Sequence, residues 1–228
     1  MKKYDIFLFD ADNTLYDYDL AEKYALSTML ENHGISYSAK IHEKYREINA
    51  DVWGKLERGQ ITKTELQSIR FELLFKHIGA NINARSFNDG YVELLGKASY
   101  LIEGAQELCK LIVENNKKLY IVTNGLVATH KARLKHSTIS KYFSGSFVSE
   151  LIGYEKPHIK YFDHVFSLIP SFLKNSTLMV GDNLRADIAG GINAGIDTCW
   201  FNLYSKKNNT GIKATYEILK LNELHSFV

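Results

Sequence analysis

The sequence predicts an α/β protein built on a doubly wound parallel sheet, with a helical segment inserted after the first strand. The apolar run Ile6–Phe9 stops abruptly at acidic residues, which is typical of a strand buried on both faces. From residue 101 onward, short apolar runs alternate with helical patterns, as in sheets with right-handed crossovers. Between them, residues 18 to about 96 show only helical periodicity. We therefore expect a core formed by residues 1–16 and 98–228 and a four-helix segment over residues 17–97.

Composition limits the classes of partner. The chain has 228 residues, 45% of them hydrophobic and 24% charged, with a formal net charge of +2. That charge is too small to indicate a nucleic acid or an anionic membrane as partner. The two cysteines, Cys109 and Cys199, have no metal-ligand spacing, and no apolar run reaches the ~18 residues of a membrane span. We expect a cytoplasmic protein, monomeric or homodimeric, that binds neither nucleic acid nor membrane.

The first strand leads directly into two carboxylates, Asp10 and Asp12, followed by Asn13 and Thr14. Ligands of open α/β sheets bind at the carboxyl ends of the strands. For both carboxylates to serve one site we expect the chain to loosen after Phe9, which the turn-forming Asn13 and Thr14 permit. Carboxylates this close together repel each other unless a cation or a proton separates them. This stretch is therefore a candidate site.

The inserted segment contains residues that are typical of helix starts and helix ends. Gly34, Gly59 and Gly79 each follow an apolar-periodic stretch, and Thr62 with Glu65 has the pattern of a capping box. The four helices are predicted over residues 20–32, from about 38 to before 59, from 62 to before 79, and around 87–95.

The remaining strands are predicted at residues 119–122, 146–149, 177–180, 198–201 and 216–218, and the helices between them include 127–136 and 186–194, with a helix closing the chain. Polar residues stand where these strands end: Thr123 and Asn124 after one, Asp182 after another. Asp187 follows five residues later, and Lys156 precedes an intervening helix. Because parallel strands place their carboxyl ends at one edge, these groups can converge with the first two aspartates.

Such a set suits phosphoryl transfer. Carboxylates of Asp10, Asp12 and Asp182 are the hard oxygen ligands that Mg²⁺ prefers. The Thr123 hydroxyl can donate to phosphate oxygens, and Lys156 adds a positive charge.

The motifs Asp10-x-Asp12-x-Thr14, Thr123-Asn124, Lys156-Pro157 and Gly181-Asp182-x-x-x-x-Asp187 resemble those of the haloacid dehalogenase superfamily. The resemblance covers nearly the whole chain and implies a Rossmann-like core with strand order 5-4-1-2-3 and a helical cap. It implies that Asp10 is the nucleophile, forming an aspartyl-phosphate, and that Asp12 is the general acid and base. It also implies that Mg²⁺ binds Asp10, the backbone carbonyl of Asp12 and Asp182, with Asp187 as a further ligand or just behind. Thr123, Asn124 and Lys156 would hold the phosphate.

Within the superfamily, the sequence at these motifs is most similar to that of pyrimidine 5′-nucleotidases, which act on nucleoside monophosphates such as UMP, dUMP and dTMP. Sugar-phosphate phosphatases, phosphoglycolate-type phosphatases and phosphomutases remain open alternatives. The dehalogenase branch lacks the second aspartate and is disfavoured by Asp12.

A receiver-like phosphoacceptor is disfavoured by the helical insertion, and an oxidoreductase by the missing glycine-rich turn. Candidates for contact with the leaving group are Tyr16, Tyr18, Trp53 and Arg70, for each of which packing or a surface ion pair is the competing role.

Overall fold

The computed structural model describes residues 2–228 and divides the chain into two compact units. One unit runs to Tyr18 and resumes from Ser99 to Val228, and the other is Asp19–Ala98. No helix within the described part of the chain has the length and apolar character needed to cross a membrane.

The strands are β1 Ile6–Phe9, β2 Lys118–Thr123, β3 Gly145–Val148, β4 Thr177–Gly181, β5 Asp197–Phe201 and β6 Tyr216–Ile218. The helices are α1 Tyr18–Asn32, α2 Ala39–Glu57, α3 Lys63–Ile78, α4 Ala84–Lys97, α5 Ala105–Glu114, α6 Val127–His136, α7 Ser149–Ile152, α8 Ile159–Leu168 and α9 Ala189–Ala194. Segments of 3₁₀ helix lie at Ser140–Tyr142, Lys174–Ser176 and Leu221–Phe227, and a π-helical turn lies at Leu184–Ile188.

The sheet is wholly parallel, with the order β3-β2-β1-β4-β5-β6. Read from the other edge, this confirms the predicted order 5-4-1-2-3, with β6 added beside β5. The first strand lies at the centre, where Phe9 pairs with Ile121 on one side and with Val180 on the other. Its carboxyl end therefore lies at the middle of the ligand-binding edge.

Alternation along β1 explains its continuous apolar run. Phe7 and Phe9 pack into a cluster on one face of the sheet, together with side chains of α5 and of the C-terminal turn. Ile6 and Leu8 pack on the other face, against α8. All four residues are buried, because both faces of the central strand are covered by helices.

Two predicted elements differ from the structure. The helix predicted over 186–194 begins as a π-helical turn, Leu184–Ile188, before α9. There the Asn183 side-chain oxygen accepts hydrogen bonds from the backbone N–H groups of Arg185 and Ala186, at 2.9 and 3.1 Å. The chain closes in a 3₁₀ turn, Leu221–Phe227, rather than an α-helix.

The helical unit has an aromatic core of Tyr45, Phe71, Phe87 and Tyr91, all fully buried. Its third helix begins at the predicted capping box, in which Thr62 and Glu65 cap each other, and ends at Gly79 with φ 70°.

A short backbone pairing joins the two crossings between the units. Tyr16 forms an antiparallel bridge with Leu101, and the Asp17 N–H donates to the Tyr100 carbonyl at 3.0 Å. The Ile102 N–H donates to the Leu15 carbonyl, also at 3.0 Å. The outgoing and returning chains are thus held side by side.

We expect Gly190→Ala to destabilise the core. A Cβ atom at Gly190 would lie 2.5 Å from Phe162 Cε2 and 3.3 Å from the Pro157 Cα, and the Phe162 ring is fully buried. Overpacking of this kind costs about 1–3 kcal/mol, measurable by urea unfolding. The control is Gly54→Ala within α2, where the Cβ would meet the flexible end of Arg58 and should stabilise by about 0.5–1 kcal/mol. Equal stability of the two variants would contradict this packing.

Candidate functional site

The predicted acidic residues meet at the carboxyl edge of the sheet. Asp10 follows β1, Asp182 follows β4, and Asp187 lies in the π-helical turn. One carboxylate oxygen from each lies within 4.8 Å of the others. The site is therefore built from residues far apart in sequence that the parallel topology brings together.

Lys156 lies between two of these acids. Its Nζ donates to Asp10 Oδ1 at 2.6 Å, to Asp187 Oδ1 at 2.7 Å and to the Val122 carbonyl at 2.7 Å. The side chain is 1% exposed, and burial opposes its charge, but the two carboxylates outweigh burial and raise the pKa of Lys156. Since an ammonium has three donors, protein groups satisfy all of them.

The cluster has more negative than positive charge. Burial raises the pKa of Asp10 to about 7 despite the attraction of Lys156, since Asp187 and Asp12 add repulsion. Burial, followed by repulsion from Asp10 and Asp187, raises the pKa of Asp182 well above its usual range. Hard oxygens with uncompensated charge fit a divalent cation such as Mg²⁺.

Asp187 is the least available of the three carboxylates for such a cation. Its Oδ1 accepts from Lys156, and its Oδ2 accepts from the Asn183 N–H at 3.0 Å. The side chain is 1% exposed, and a Cβ at Gly181 would collide with it. This arrangement favours a place for Asp187 behind the ligands, orienting Lys156.

Thr123 and Asn124, the two residues predicted at the end of β2, have different hydrogen-bond partners. The Thr123 hydroxyl oxygen accepts from the Gly125 N–H at 3.0 Å. The Asn124 side chain instead bonds the Lys156 backbone twice, donating to its carbonyl and accepting from its N–H, both at 2.9 Å. Asn124 therefore holds the segment that carries Lys156, a contact that the sequence did not indicate.

The chain leaves strand geometry after Phe9, as predicted. Asn13 adopts φ 55°, its N–H donates to the Tyr16 carbonyl at 2.8 Å, and the Leu15 N–H donates back to the Ala11 carbonyl at 3.1 Å. This tight turn leaves Asp12 half-buried, beside the end of β2.

Three further residues at the site were missed from sequence. Arg133 on α6 lies 2.7 Å from Asp12 Oδ1, and His130 lies one turn earlier on the same helix. Burial and the Arg133 charge lower the pKa of His130 to about 4, so the ring is neutral at pH 7. Trp200 Nε1 donates to the Asp182 carbonyl at 2.9 Å and fixes that turn. The one sequence feature that could have indicated them is the three-residue spacing of His130 and Arg133, which places both on one face of a helix.

Two candidates for leaving-group contact are packed within the protein. Tyr16 is 1% exposed, and its hydroxyl donates to Ser137 Oγ at 3.1 Å. Arg70 is 2% exposed and donates to Asn88 Oδ1 at 2.7 Å inside the helical unit. Tyr18 and Trp53 are half-buried.

Comparison with known proteins agrees with this geometry. A family model described as haloacid dehalogenase-like hydrolase matches residues 4–195. The chain is 36% identical to pyrimidine 5′-nucleotidase PynA of Streptococcus pneumoniae, covering 97% of this chain and 93% of that protein. It is 31% identical to pyrimidine 5′-nucleotidase YjjG of Escherichia coli, covering 99% and 98%.

A third relative has a solved structure. The HAD-hydrolase YfnB of Bacillus subtilis is 40% identical over 99% of this chain and 95% of its own. Its crystal structure with bound magnesium superposes with a TM-score of 0.92 at 39% identity, covering 99% of this chain and 98% of that one.

Proposed function

The chain belongs to the haloacid dehalogenase-like hydrolases, and from this premise we propose that it is a Mg²⁺-dependent phosphatase of pyrimidine nucleoside monophosphates. The observation that carries the proposal is the cluster of Asp10, Asp182 and Asp187 around Lys156 at the centre of the carboxyl edge. A carboxylate nucleophile can attack a phosphate dianion only where positive charge offsets their repulsion.

In the proposed reaction, a carboxylate oxygen of Asp10 forms a bond to phosphorus as the ester bond breaks. Asp12 gives its proton to the departing ester oxygen. A water molecule then attacks phosphorus, Asp12 takes one of its protons, and inorganic phosphate leaves Asp10 as a free carboxylate. Thr123 and the backbone N–H groups that follow β2 are the proposed donors to the phosphate oxygens.

The proposed ligands for Mg²⁺ are Asp10, Asp182 and the backbone carbonyl of Asp12. When bound, the ion supplies positive charge next to the phosphoryl oxygens. Lys156 fixes the orientation of Asp10, and Asp187 holds Lys156 in place.

The substrate class rests on the two relatives named pyrimidine 5′-nucleotidases, which match this chain along nearly its whole length. We propose UMP, dUMP and dTMP as substrates, with residues 17–97 as a cap domain that selects the leaving group. A sugar-phosphate or phosphoglycolate-type phosphatase, or a phosphomutase, is the alternative within the same superfamily.

The deciding experiment is phosphate release, with Mg²⁺ and with EDTA, from UMP, dUMP, dTMP, a hexose phosphate and phosphoglycolate. We expect the three nucleotides to give the highest kcat/KM, and EDTA to abolish release. A preference for the hexose phosphate would overturn the substrate class while leaving the phosphatase mechanism intact. No release from any ester would overturn the proposed function.

We expect Asp182→Asn to raise the Mg²⁺ concentration needed for half-maximal activity by about 10–100-fold, because a neutral amide binds a hard cation weakly. The measurement is a Mg²⁺ titration of phosphate release from UMP. Asp163→Asn, at an exposed carboxylate on α8, is the matched control and should leave the titration unchanged. An unchanged midpoint for Asp182→Asn would remove that residue from the proposed ligands.

A further inference from the structure

The helix that follows β2 places a buried guanidinium against Asp12. Arg133 on α6 is 2% exposed, and its Nη1 lies 2.7 Å from Asp12 Oδ1. The contact is an ion pair without the alignment of a hydrogen bond. A charge this deeply buried is costly unless it has a partner, and Oδ1 of the Asp12 carboxyl group is the partner in contact with Arg133.

On its other side the guanidinium contacts an aromatic ring. It lies over the Tyr16 ring at 4.9 Å, and the Tyr16 hydroxyl is fixed on Ser137. Nε and Nη2 of Arg133 have no hydrogen-bond partner among residues 2–228. A purely structural buried arginine would normally satisfy these donors with backbone carbonyls. Here the side chain is aimed at a single carboxylate oxygen.

The two oxygens of Asp12 consequently have different surroundings. Oδ1 faces Arg133, whereas Oδ2 lies on the side of β2, where a Cβ built on Gly125 would be 3.6 Å from it and 3.2 Å from Thr123 Oγ1. Thr123 and Gly125 stand at the end of β2, where the proposed function places the phosphate. The oxygen opposite Arg133 therefore lies on the side where the proposed function places the phosphate.

We propose that Arg133 is a positioning residue: it fixes Oδ1 of Asp12 so that Oδ2 gives the proton to the leaving oxygen and later takes one from water. This inference rests on the proposed phosphatase function. His130, three residues before Arg133 on α6, is neutral at pH 7 and adds no competing charge. Arg133 itself neither gives nor takes a proton.

The test compares two esters within each variant. 4-Nitrophenyl phosphate has a weakly basic leaving group that needs little protonation, whereas UMP releases a strongly basic alkoxide. For both esters kcat/KM reports only the steps up to formation of the phosphoenzyme, so hydrolysis of the shared intermediate does not enter. The ratio of the two kcat/KM values is also independent of the folded fraction.

We expect Arg133→Met to lower kcat/KM for UMP by about 100-fold and that for 4-nitrophenyl phosphate by less than about 10-fold, as expected when a general acid is misplaced. The ratio then shifts at least tenfold towards the aryl ester. Arg133→Lys keeps the positive charge and should restore part of the ratio. Lys131→Met, at an exposed position on the same helix, is the matched control and should leave it unchanged.

Each failure has its own signature. An active wild-type protein whose ratio is the same in Arg133→Met, whether the two rates fall together or stay constant, would overturn this inference and leave the proposed function standing. A wild-type protein that releases no phosphate from either ester would overturn the proposed function, and this inference with it.

Discussion

We expect Asp10→Asn to abolish phosphate release while leaving the fold intact. The amide keeps the shape of the side chain but cannot form the bond to phosphorus, and loss of a covalent nucleophile lowers kcat by on the order of 10⁴–10⁶-fold. The measurement is phosphate release from UMP at saturating Mg²⁺, with Asp163→Asn again as the exposed control. Full activity in Asp10→Asn would exclude an aspartyl-phosphate at this position.

The same substitution should not lower stability. The pKa of Asp10 is raised to about 7 in the folded protein, above its value in the unfolded chain. As pH rises from the unfolded-state pKa of Asp10 to its folded-state pKa of about 7, the free energy of unfolding therefore falls. An uncharged amide removes that cost. At pH 8 in EDTA we expect Asp10→Asn to have a Tm equal to or above that of the wild type, and a clear fall would show that the Asp10–Lys156 ion pair is net stabilising.

Lys156→Met should have the largest effect on stability. The substitution leaves Asp10 and Asp187 buried without their shared cation and leaves the Val122 carbonyl without its donor. Breaking a buried pair in this way costs about 3–5 kcal/mol. The measurement is urea unfolding in EDTA, and phosphate release should also fall, because Asp10 loses the contact that orients it.

Lys160→Met is the matched control for Lys156→Met. Lys160 lies in the next helix, is exposed, and its Nζ donates to the Tyr154 hydroxyl at 3.2 Å. We expect this control to change the free energy of unfolding by less than about 0.5 kcal/mol. If the two lysine variants unfolded at the same urea concentration, the central place given to Lys156 would be wrong.

Local patterns were enough to predict most of the fold. The four apolar residues of β1 predict a strand buried on both faces, because each face packs against a helical layer. Thr62 and Glu65 predict the start of α3 because capping is a contact between near neighbours. The acidic cluster was also predictable, since chain direction alone brings strand ends to a common edge.

Contacts made by side chains across the fold were not predictable in this way. Arg133 stands in the basic last turn of α6, where a positive charge is already explained by the helix dipole, so nothing in the sequence indicates Asp12 as its partner. The role of Asn124 depends on the backbone of Lys156, 32 residues away. The π-helical turn depends on side-chain bonds of Asn183 and Asp187, which no periodicity shows.

The pairing of Tyr16 with Leu101 has a consequence for how this architecture can change over evolution. Because the core itself ties the departing and returning chains together, the intervening 19–98 segment begins and ends at one anchored point. The entropic cost of closing such a loop rises only slowly with its length. Insertions of different size can therefore replace this segment without moving the strand that leads to Asp10.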